Sequence, residues 1–409
     1  MVGYIRPLLH LFDPRDFSMA RVLRSPTRSL QRGTAGLLLA VGWAVTTTCA
    51  TYQLYSDCAA PSSPCPDVVP DDQDAVLFLI GDAGDKAFDD NPVLQHLKRA
   101  VTELDGRGVP TTVLFLGDNV YDEGVREGDP EDLRLLGAQV EVVAGTSGKG
   151  IFLPGNHDWA NTGKEEGLQR LLNQEEALRA FDADVSLRPR SGCPGPEREN
   201  LVDSRGRILA TLVLLDTSWW MLEAPTDSAC NPSIKADVIA AVERMLSETP
   251  NVPAIVAAHH PLKSGGPHGG NSGFFRWLGY KLGLFGGDLN GREYRTLIDS
   301  LSAVFGRASQ PIIYAAGHEH SLQVMDEAVA GASVLHLVSG SGSKVTAAEA
   351  VEGSRFVAGL PGYMRLDFRS GGRIELSVVA ECSVEAVDAN LCPGGVPGRL
   401  QGVYRLRVR

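Results

Sequence analysis

The sequence predicts an α/β fold, and three observations support that prediction. From Ala75 onward, short apolar runs of strand length alternate with longer segments that have helical periodicity. Five of the predicted strands end in a polar loop. The composition, with 43% hydrophobic and 22% charged residues, is that of a globular protein, and it excludes a disordered, collagen-like or polytopic membrane protein.

The individual elements follow from these patterns in chain order. Short apolar runs predict strands at Ala75–Ile80, Thr111–Leu116, Ile151–Pro154, Ile208–Leu215, Ala254–Ala258, Pro311–Ala316 and Ser333–Val338. Helical periodicity predicts helices at Asn91–Asp105, Glu131–Val143, Glu165–Phe181, Ser233–Glu248 and Glu293–Phe305. Asn91 can cap the first helix, and Pro92 suits its first turn. We therefore predict an α/β domain over residues 75–372 and a β-rich extension over residues 373–409 that could close the same domain.

The amino-terminal segment, residues 1–55, predicts a targeting region. Residues 1–33 contain six Arg and two Asp, a net charge of +4 within a total of −12, which leaves −16 for the rest. This basic stretch precedes an apolar run at Gly36–Val45 and small residues at Thr48–Ala50, the order found in secretory signals. A membrane anchor is the alternative, because the uncharged run is long enough to span a bilayer. Cys49 is a candidate for lipidation.

The segment that follows supports the same interpretation. Residues 56–74 are rich in Pro, Ser and Asp without periodicity, which indicates a linker. We expect an exported protein, periplasmic, extracellular or at the cell surface, with a possible membrane tether at its amino terminus. The acidic body excludes nucleic acid and anionic lipid as binding partners held by charge. An anionic substrate would need concentrated local positive charge, which a bound metal ion supplies best.

Seven cysteines fit an oxidising compartment. If Cys49 is removed or lipidated, six remain, and an even number in an exported chain indicates disulfides. Six cysteines allow fifteen connectivities, and the simplest is local pairing: Cys58–Cys65, Cys193–Cys230 and Cys382–Cys392. The spacings do not match those of zinc-binding cysteines, so we expect no thiolate metal site.

The five polar loops carry the candidate chemistry. In chain order they are Gly81-Asp-Ala-Gly84, Gly117-Asp-Asn-Val-Tyr121, Gly155-Asn-His-Asp158, Val256-Ala-Ala-His-His260 and Gly317-His-Glu-His320. Loops at the carboxyl ends of strands in an α/β sheet converge on the ligand crevice. Oxygen and imidazole ligands without thiolate suit Fe, Mn or Zn. The set is too large for one ion, so it predicts two metals that share a carboxylate.

These motifs resemble those of the calcineurin-like metallophosphoesterases, and within them the purple acid phosphatases, especially the small tartrate-resistant type. The superfamily opens with D-x-H, but Gly84 stands where that His would be. Tyr121 follows Asp118 in a G-D-x-x-Y block, and this paired loss and gain is the purple acid phosphatase signature. The resemblance runs from about Val76 to Gly342, where it ends in Ser339-Gly-Ser-Gly342.

The resemblance implies a fold and a ligand set. The fold would be a sandwich of two mixed β-sheets flanked by helices in αββα layers. The first metal would take Asp82, Asp118, Tyr121 and His320, and the second would take the shared Asp118 with Asn156, His259 and His318. The metals would be Fe(III) with Fe(II), Zn or Mn, since a phenolate is a hard, anionic ligand that suits Fe(III).

The resemblance also implies the reaction. The protein would be a di-metal phosphoesterase that hydrolyses phosphate monoesters of small molecules or proteins by attack of a metal-bound hydroxide. His157 and His268 are the candidates that protonate the leaving group, because imidazole titrates near the working pH. Trp159 departs from the small purple acid phosphatases, which often carry another His there. His260 is expected to order its loop instead.

Two other functions are compatible with the sequence. One is a phosphodiesterase or nucleotide hydrolase of the same fold with a divalent metal pair, for which nucleic acid would be a substrate and not a bound partner. The other is a surface protein that binds phosphate without turnover. Tyr121 favours the purple acid phosphatase over the first of these, and the complete ligand set argues against the second.

Overall fold

The structure is a computed structural model that describes residues 72–85, 91–224, 230–268, 289, 291–382 and 399–408. The predicted targeting region and most of the predicted linker lie outside these residues, as do Cys49, Cys58, Cys65 and Cys392. The described strands are β1 (Gln73–Ile80), β2 (Thr111–Phe115), β3 (Lys149–Phe152), β4 (Val185–Leu187), β5 (Glu197–Val202), β6 (Ile208–Leu214), β7 (Ala254–Ala257), β8 (Ile312–Ala316), β9 (Leu322–Val329), β10 (Ala332–Ser339), β11 (Ser354–Ala358), β12 (Gly362–Arg369), β13 (Arg373–Cys382) and β14 (Arg399–Arg407).

Helices alternate with the strands in the first three quarters of the chain. The described helices are α1 (Pro92–Gly106), α2 (Pro130–Val140), α3 (Glu165–Ala180), α4 (Thr217–Leu222), α5 (Lys235–Glu248) and α6 (Arg292–Phe305). Their starts follow the capping chemistry of the sequence. The Asn91 side chain accepts the backbone N–H groups of Val93 and Leu94, and Asp129 caps α2 in the same way.

The described strands form two sheets of seven strands each. The first has the order β14-β13-β12-β1-β2-β3-β4, and the second has the order β11-β9-β10-β8-β7-β6-β5. Each sheet has four adjacent parallel strands, β1 to β4 in the first and β6, β7, β8 and β10 in the second. The remaining strands pair antiparallel. Both sheets are therefore mixed, as the resemblance implies.

The alternation of β1 shows how the layers pack. Ala75, Leu77 and Leu79 belong to the core that lies between the two sheets. Val76 and Phe78 point the other way and pack beneath the helices. Since successive side chains of a strand face opposite sides, a strand covered on both faces has a continuous apolar sequence. The result is the predicted arrangement of two sheets between layers of helices.

The carboxy-terminal segment and the start of β1 lie in the first sheet. The strands β13 and β14 continue this sheet beyond β12, which itself pairs with β1. Asp72, directly before β1, pairs with Arg369 and Arg373, which flank the turn of the β12–β13 hairpin. These ion pairs fix the point at which the chain enters the sheet.

Two further features concern the compartment. Cys193 and Cys230 form a disulfide, which is one of the three local pairs that the sequence predicts. The pair Cys58–Cys65 and the partner of Cys382 lie outside the described residues. Among the helices that the structure describes, none combines the length and the hydrophobicity needed to cross a membrane.

Candidate metal centre

Three predicted ligands leave their strands in the same way. Asp82, Asp118 and His318 each follow a glycine just beyond the carboxyl ends of β1, β2 and β8. All three adopt the left-handed backbone conformation, with φ values of 56°, 54° and 68°. This conformation costs a non-glycine residue roughly 1–2 kcal/mol. Such backbone strain persists only where surrounding contacts enforce it, and it is typical of functional sites.

Asp82, Tyr121 and His320 form one group of contacts. The Tyr121 hydroxyl donates to Asp82 Oδ1 at 3.0 Å and lies 3.2 Å from His320 Nε2. His320 Nε2 is also 3.5 Å from Asp82 Oδ1. The other carboxylate oxygen of Asp82 accepts the backbone N–H of His318 at 2.8 Å. These are three of the four residues that the resemblance assigns to the first metal.

Asn156, His259 and His318 form a second group. Asn156 Oδ1 lies 3.0 Å from His259 Nε2 and 3.2 Å from His318 Nδ1, and these two nitrogens are 3.2 Å apart. Asp118 lies next to this group, with its Oδ1 3.4 Å from His259 Nε2. The ligand atoms of Asp82, Asp118 and His259 all lie within 4.8 Å of one another.

The seven predicted ligands are thus brought together in two groups, with Asp118 near both. This is the grouping that the resemblance assigns to the two metals. Which ion each group holds, and whether Asp118 is shared between them, stay predictions.

The hydrogen bonds of His259 test whether these residues fit a cation. Its Nδ1 lies 2.8 Å from the carbonyl oxygen of Leu116, so Nδ1 carries the proton and donates it. The other nitrogen, Nε2, then presents a lone pair to Asn156 Oδ1 and Asp118 Oδ1, which are acceptors as well. Acceptors that converge in a buried place repel one another unless a cation lies between them. The donor set therefore fits a metal ion.

The protonation states of the metal-free chain favour metal binding too. Burial, followed by the charge of Asp118, raises the pKa of Asp82 well above its usual range. Two close, buried carboxylates resist joint ionisation, and a cation removes that conflict. Burial lowers the pKa of His259, and burial with the neighbouring imidazoles holds the pKa of His318 well below its usual value. Neutral imidazole is the form that binds metals.

Gly84 and Tyr121 are linked by direct contact between their loops. The Gly84 carbonyl oxygen accepts the backbone N–H of Tyr121 at 2.9 Å. A Cβ atom on Gly84 would lie 2.2 Å from the carbonyl oxygen of Asn119, within the same loop as Tyr121. No side chain fits at residue 84 while this loop keeps its place. The same close packing of the two loops therefore excludes a histidine at residue 84 and holds the Tyr121 backbone in place.

His157, the first predicted proton donor, faces the ligands. Its Nδ1 lies 2.6 Å from the carbonyl oxygen of Asp122, so Nδ1 donates there. Nε2 lies 4.0 Å from Asp118 Oδ2. The imidazole ring also packs against Tyr121, with 4.4 Å between the ring centroids. This orientation leaves Nε2 on the side of the predicted ligands.

His268, the second predicted proton donor, lies on the other side of the centre. Its ring centroid is 4.7 Å from that of His318. Its backbone N–H donates to Glu319 Oε1 at 2.8 Å, so a buried carboxylate between two predicted ligands holds this part of the loop. The continuation of the loop, residues 269–288, lies outside the described residues.

Trp159, the departure from the resemblance, has a packing role. It is fully buried, and its Nε1 donates to Asp216 Oδ2 at 2.8 Å. The other oxygen of Asp216 accepts the backbone N–H of Trp219 and caps α4. Burial raises the pKa of Asp216 to about 7. Trp159 therefore connects the loop after β3 to α4 and offers no group for proton transfer to a substrate.

His260 has the contacts expected of a residue that orders its loop. Its Nδ1 lies 2.9 Å from Thr217 Oγ1, and its carbonyl oxygen accepts the Tyr314 hydroxyl. A nitrogen of His260 nevertheless lies within 4.8 Å of the ligand nitrogens of His259 and His318.

Two residues near the centre were not assigned a role from the sequence. Asp158 accepts the backbone N–H groups of Gly155, Asn119 and Val120, at 2.7, 3.0 and 3.2 Å, and so ties two ligand loops together. Lys344 places its Nζ 3.4 Å from the centroid of the Tyr121 ring. The spacing of Asp158 within its motif was visible in the sequence, but the position of Lys344 depends on how distant segments pack.

Comparisons with known proteins concern the family and the fold. The model of the calcineurin-like phosphoesterase family matches residues 75–322, which is more than half of the chain. A comparison of the sequence with those of curated proteins gave no significant match.

Three solved structures resemble the chain. GAP50, described as the anchor in the inner membrane complex of Plasmodium, is 16% identical with a TM-score of 0.50 over 82% of this chain and 89% of that one. The purple acid phosphatase PPD1 from yellow lupin (Lupinus luteus) is 14% identical with a TM-score of 0.50, over 81% of this chain and 53% of that one. A dimetal phosphatase from Danio rerio is 13% identical with a TM-score of 0.39, over 75% and 96% of the two chains. At these identities, the first two likenesses show the fold alone.

Proposed function

The chain belongs to the calcineurin-like phosphoesterase family, and on that basis we propose that it is a di-metal hydrolase of phosphate monoesters of the purple acid phosphatase type. The single observation that carries the proposal is the convergence of the seven candidate ligands, with Tyr121 in contact with Asp82 and His320. The purple acid phosphatase type would require Tyr121 to lie beside Asp82 and His320, and it contacts both.

The residues of the chain divide the work of such a reaction. When bound, two metal ions would neutralise phosphate oxygens and activate the attacking water. Asp82, Tyr121 and His320 would hold one ion, and Asn156, His259 and His318 the other. Asp118 lies where it can contact both. The buried carboxylates of Asp82 and Asp118 would fix the positions of the metal ions. The positive charge of the ions would then lie where the negative charge of the transferred phosphoryl group develops.

His157 is the better placed of the two candidates that would protonate the leaving group. Its Nδ1 is held by the carbonyl oxygen of Asp122, so its tautomer and ring orientation are set before a substrate binds. Its Nε2 points toward Asp118. His268 approaches from the side of His318 and would contact the part of the substrate that lies beyond the phosphate.

Iron is the metal that the ligand chemistry favours at the first group. A phenolate suits Fe(III), and burial raises the pKa of Tyr121 well above its usual range, so a strongly polarising ion is needed to displace its proton. Aerobically purified, metal-replete protein should show a visible charge-transfer band from tyrosinate to Fe(III). The variant Tyr121→Phe should lose the band while it still binds metal. A wild-type protein that holds two metals but has no such band would contradict the iron assignment.

Export and the substrate class complete the proposal. The basic and apolar amino-terminal segment and the Cys193–Cys230 disulfide support an oxidising compartment outside the cytoplasm. The substrate would be a phosphorylated small molecule or protein, since an acidic surface offers no general attraction for nucleic acid.

The decisive experiment compares two esters. The full chain, loaded with metal, is assayed on an aryl phosphate monoester and on the corresponding diester from acid to neutral pH, with metal-stripped protein and Asn156→Ala as controls. We expect metal-dependent turnover of the monoester, strongest in mild acid, and little in either control. Turnover of the diester alone would support the divalent-metal phosphodiesterase instead. Absence of turnover in protein shown to hold two metals would contradict the proposed function.

A further inference from the structure

We propose that Lys344 is a phosphate-binding residue of the candidate centre and that it selects dianionic monoesters over monoanionic diesters. The proposal rests on the proposed function and adds a specificity determinant to it. The relevant segment is Ser339–Lys344, the last strand residue of β10 and the five residues that follow it.

The segment is built into the ligand loops. The Ser339 hydroxyl donates to the carbonyl oxygen of Leu79 at 2.7 Å, and the Gly342 backbone N–H donates to the carbonyl oxygen of Gly81 at 3.0 Å. The Ser343 hydroxyl donates to the carbonyl oxygen of Asp82 itself. These three contacts hold Lys344, the next residue, beside the predicted ligand Asp82.

Lys344 uses that position to place a charge on the centre. Its Nζ lies 3.4 Å from the centroid of the Tyr121 ring, and its side chain is 28% exposed. The nearest carboxylate oxygen belongs to Asp85, at 3.9 Å, which is the limit for an ion pair. The ammonium of Lys344 therefore lies in contact with a predicted ligand, Tyr121.

This geometry favours binding of an anion by Lys344. An ammonium that is partly exposed, loosely paired and next to the ligands can reach a phosphate oxygen that lies on the solvent side of the metals. A monoester has one more negative charge than a diester, and its extra oxygen is not blocked by a second ester group. The fixed positive charge therefore contributes more to the binding of a monoester than of a diester.

The test compares charge, shape and position. Lys344→Met keeps an unbranched side chain of similar length and removes the charge, and Lys344→Arg keeps the charge. Lys235→Met is the matched control, because Lys235 also lies over an aromatic ring, 5.2 Å from the centroid of Trp220, and pairs with a carboxylate, Glu293. Each variant is checked for metal content and for its circular dichroism spectrum before assay.

The expected results separate binding from folding. For Lys344→Met, KM for the monoester should rise about tenfold with kcat nearly unchanged, and KM for the diester should change less than about threefold. The affinity for inorganic phosphate, measured by calorimetry on metal-loaded protein, should fall by about the same factor of ten. Lys344→Arg should have nearly the wild-type KM for the monoester and nearly the wild-type affinity for phosphate. Lys235→Met should match the wild type in both quantities.

Two outcomes would overturn the inference. An equal rise in KM for both esters would show that Lys344 supports the structure of the centre without selecting charge. Unchanged affinity for phosphate in Lys344→Met would show that the ammonium does not contact the anion. The calorimetric measurement needs no turnover, so it decides the role of Lys344 even if the wild-type protein hydrolyses neither ester and the proposed function fails.

Discussion

The two sheets contribute chemically different halves of the candidate centre. Every predicted oxygen ligand follows a strand of the first sheet, and every predicted nitrogen ligand follows a strand of the second. The oxygen half consists of Asp82 after β1, Asp118 and Tyr121 after β2, and Asn156 after β3. The nitrogen half consists of His259 after β7 and His318 and His320 after β8. One sheet supplies negative charge, and the other supplies neutral, desolvated imidazoles.

Each half is oriented by a backbone group of the other. Asp82, on the first sheet, accepts the backbone N–H of His318, on the second. His259, on the second sheet, donates to the carbonyl oxygen of Leu116, on the first. Each half therefore depends on the other sheet for the orientation of one ligand. The geometry of the centre depends in part on how the two sheets pack against each other.

Asp118→Asn should have the largest effect, because it removes charge from the oxygen half at the residue that lies between both groups. We expect the affinity for metal to fall by more than about a hundredfold, since losing a residue that only supports a ligand already costs roughly 10- to 100-fold. Metal content after dialysis and hydrolysis of the monoester would measure the loss. A variant that keeps two metals after dialysis, and still hydrolyses the monoester as the wild type does, would contradict the assignment of Asp118 to the centre.

Asp158→Ala should have the next largest effect, on the stability of the oxygen half. Its buried carboxylate accepts backbone N–H groups from Gly155, Asn119 and Val120, which would lose their partner. Buried groups without partners are costly, so we expect a loss of about 3 kcal/mol in the free energy of unfolding. Denaturant unfolding measures it.

Asp129→Ala is the matched control for this loss. Asp129 also accepts two backbone N–H groups, from Glu131 and Asp132, but its side chain is 25% exposed at the start of α2, where water can replace the carboxylate. Its substitution should cost clearly less than that of Asp158. Equal losses would show that Asp158 does not tie the two ligand loops together.

His336 allows the smallest predicted effect, on the acid stability of the second sheet. Burial, together with the charge of Lys263, lowers the pKa of His336 to about 3, and its ring packs against Tyr314 on β8. The folded-state pKa lies below the unfolded value of about 6.5, so the stabilisation is fully present above pH 6.5 and is lost as the pH falls toward 3. At about pH 5, the loss reaches about 2 kcal/mol.

His336→Leu removes the titrating group and should make stability less dependent on pH. The difference in unfolding free energy between about pH 7.5 and about pH 5 should be about 2 kcal/mol smaller in the variant than in the wild type. Denaturant titrations at both pH values measure it. The same pH dependence in both proteins would mean that His336 does not stay neutral in the folded state.

The sequence predicted the elements that carry the ligands better than the other strands of the two sheets. All seven predicted strands and all five predicted helices are present, with ends shifted by three residues at most. These strands lie mostly in the parallel part of each sheet, where continuous apolar runs are diagnostic. The strands β4, β5, β9, β11 and β12 were not predicted. Of these, β4 has three residues and β5, with the sequence ERENLV, is mostly polar.

The residues of the candidate site could be predicted from the sequence, but the contacts that orient them could not. Asp82, Asp118 and His318 are recognisable because each follows a strand and a glycine, and those signals are local in sequence. The hydrogen bonds that orient them are not local: the Asp82–His318 contact joins residues 236 positions apart. The same is true of Lys344, whose contact with Tyr121 depends on the packing of two distant loops.

The contact between Gly84 and the Asn119 carbonyl oxygen constrains how this protein can change over evolutionary time. To replace the Tyr121 ligand with a histidine at residue 84, the protein would need a new side chain at residue 84 and a new path for residues 117–121. A histidine at residue 84 alone would clash with the Asn119 carbonyl oxygen, and a new path for the loop alone would remove the Tyr121 ligand. Each change is harmful without the other, so we expect Gly84 and Tyr121 to be replaced only together.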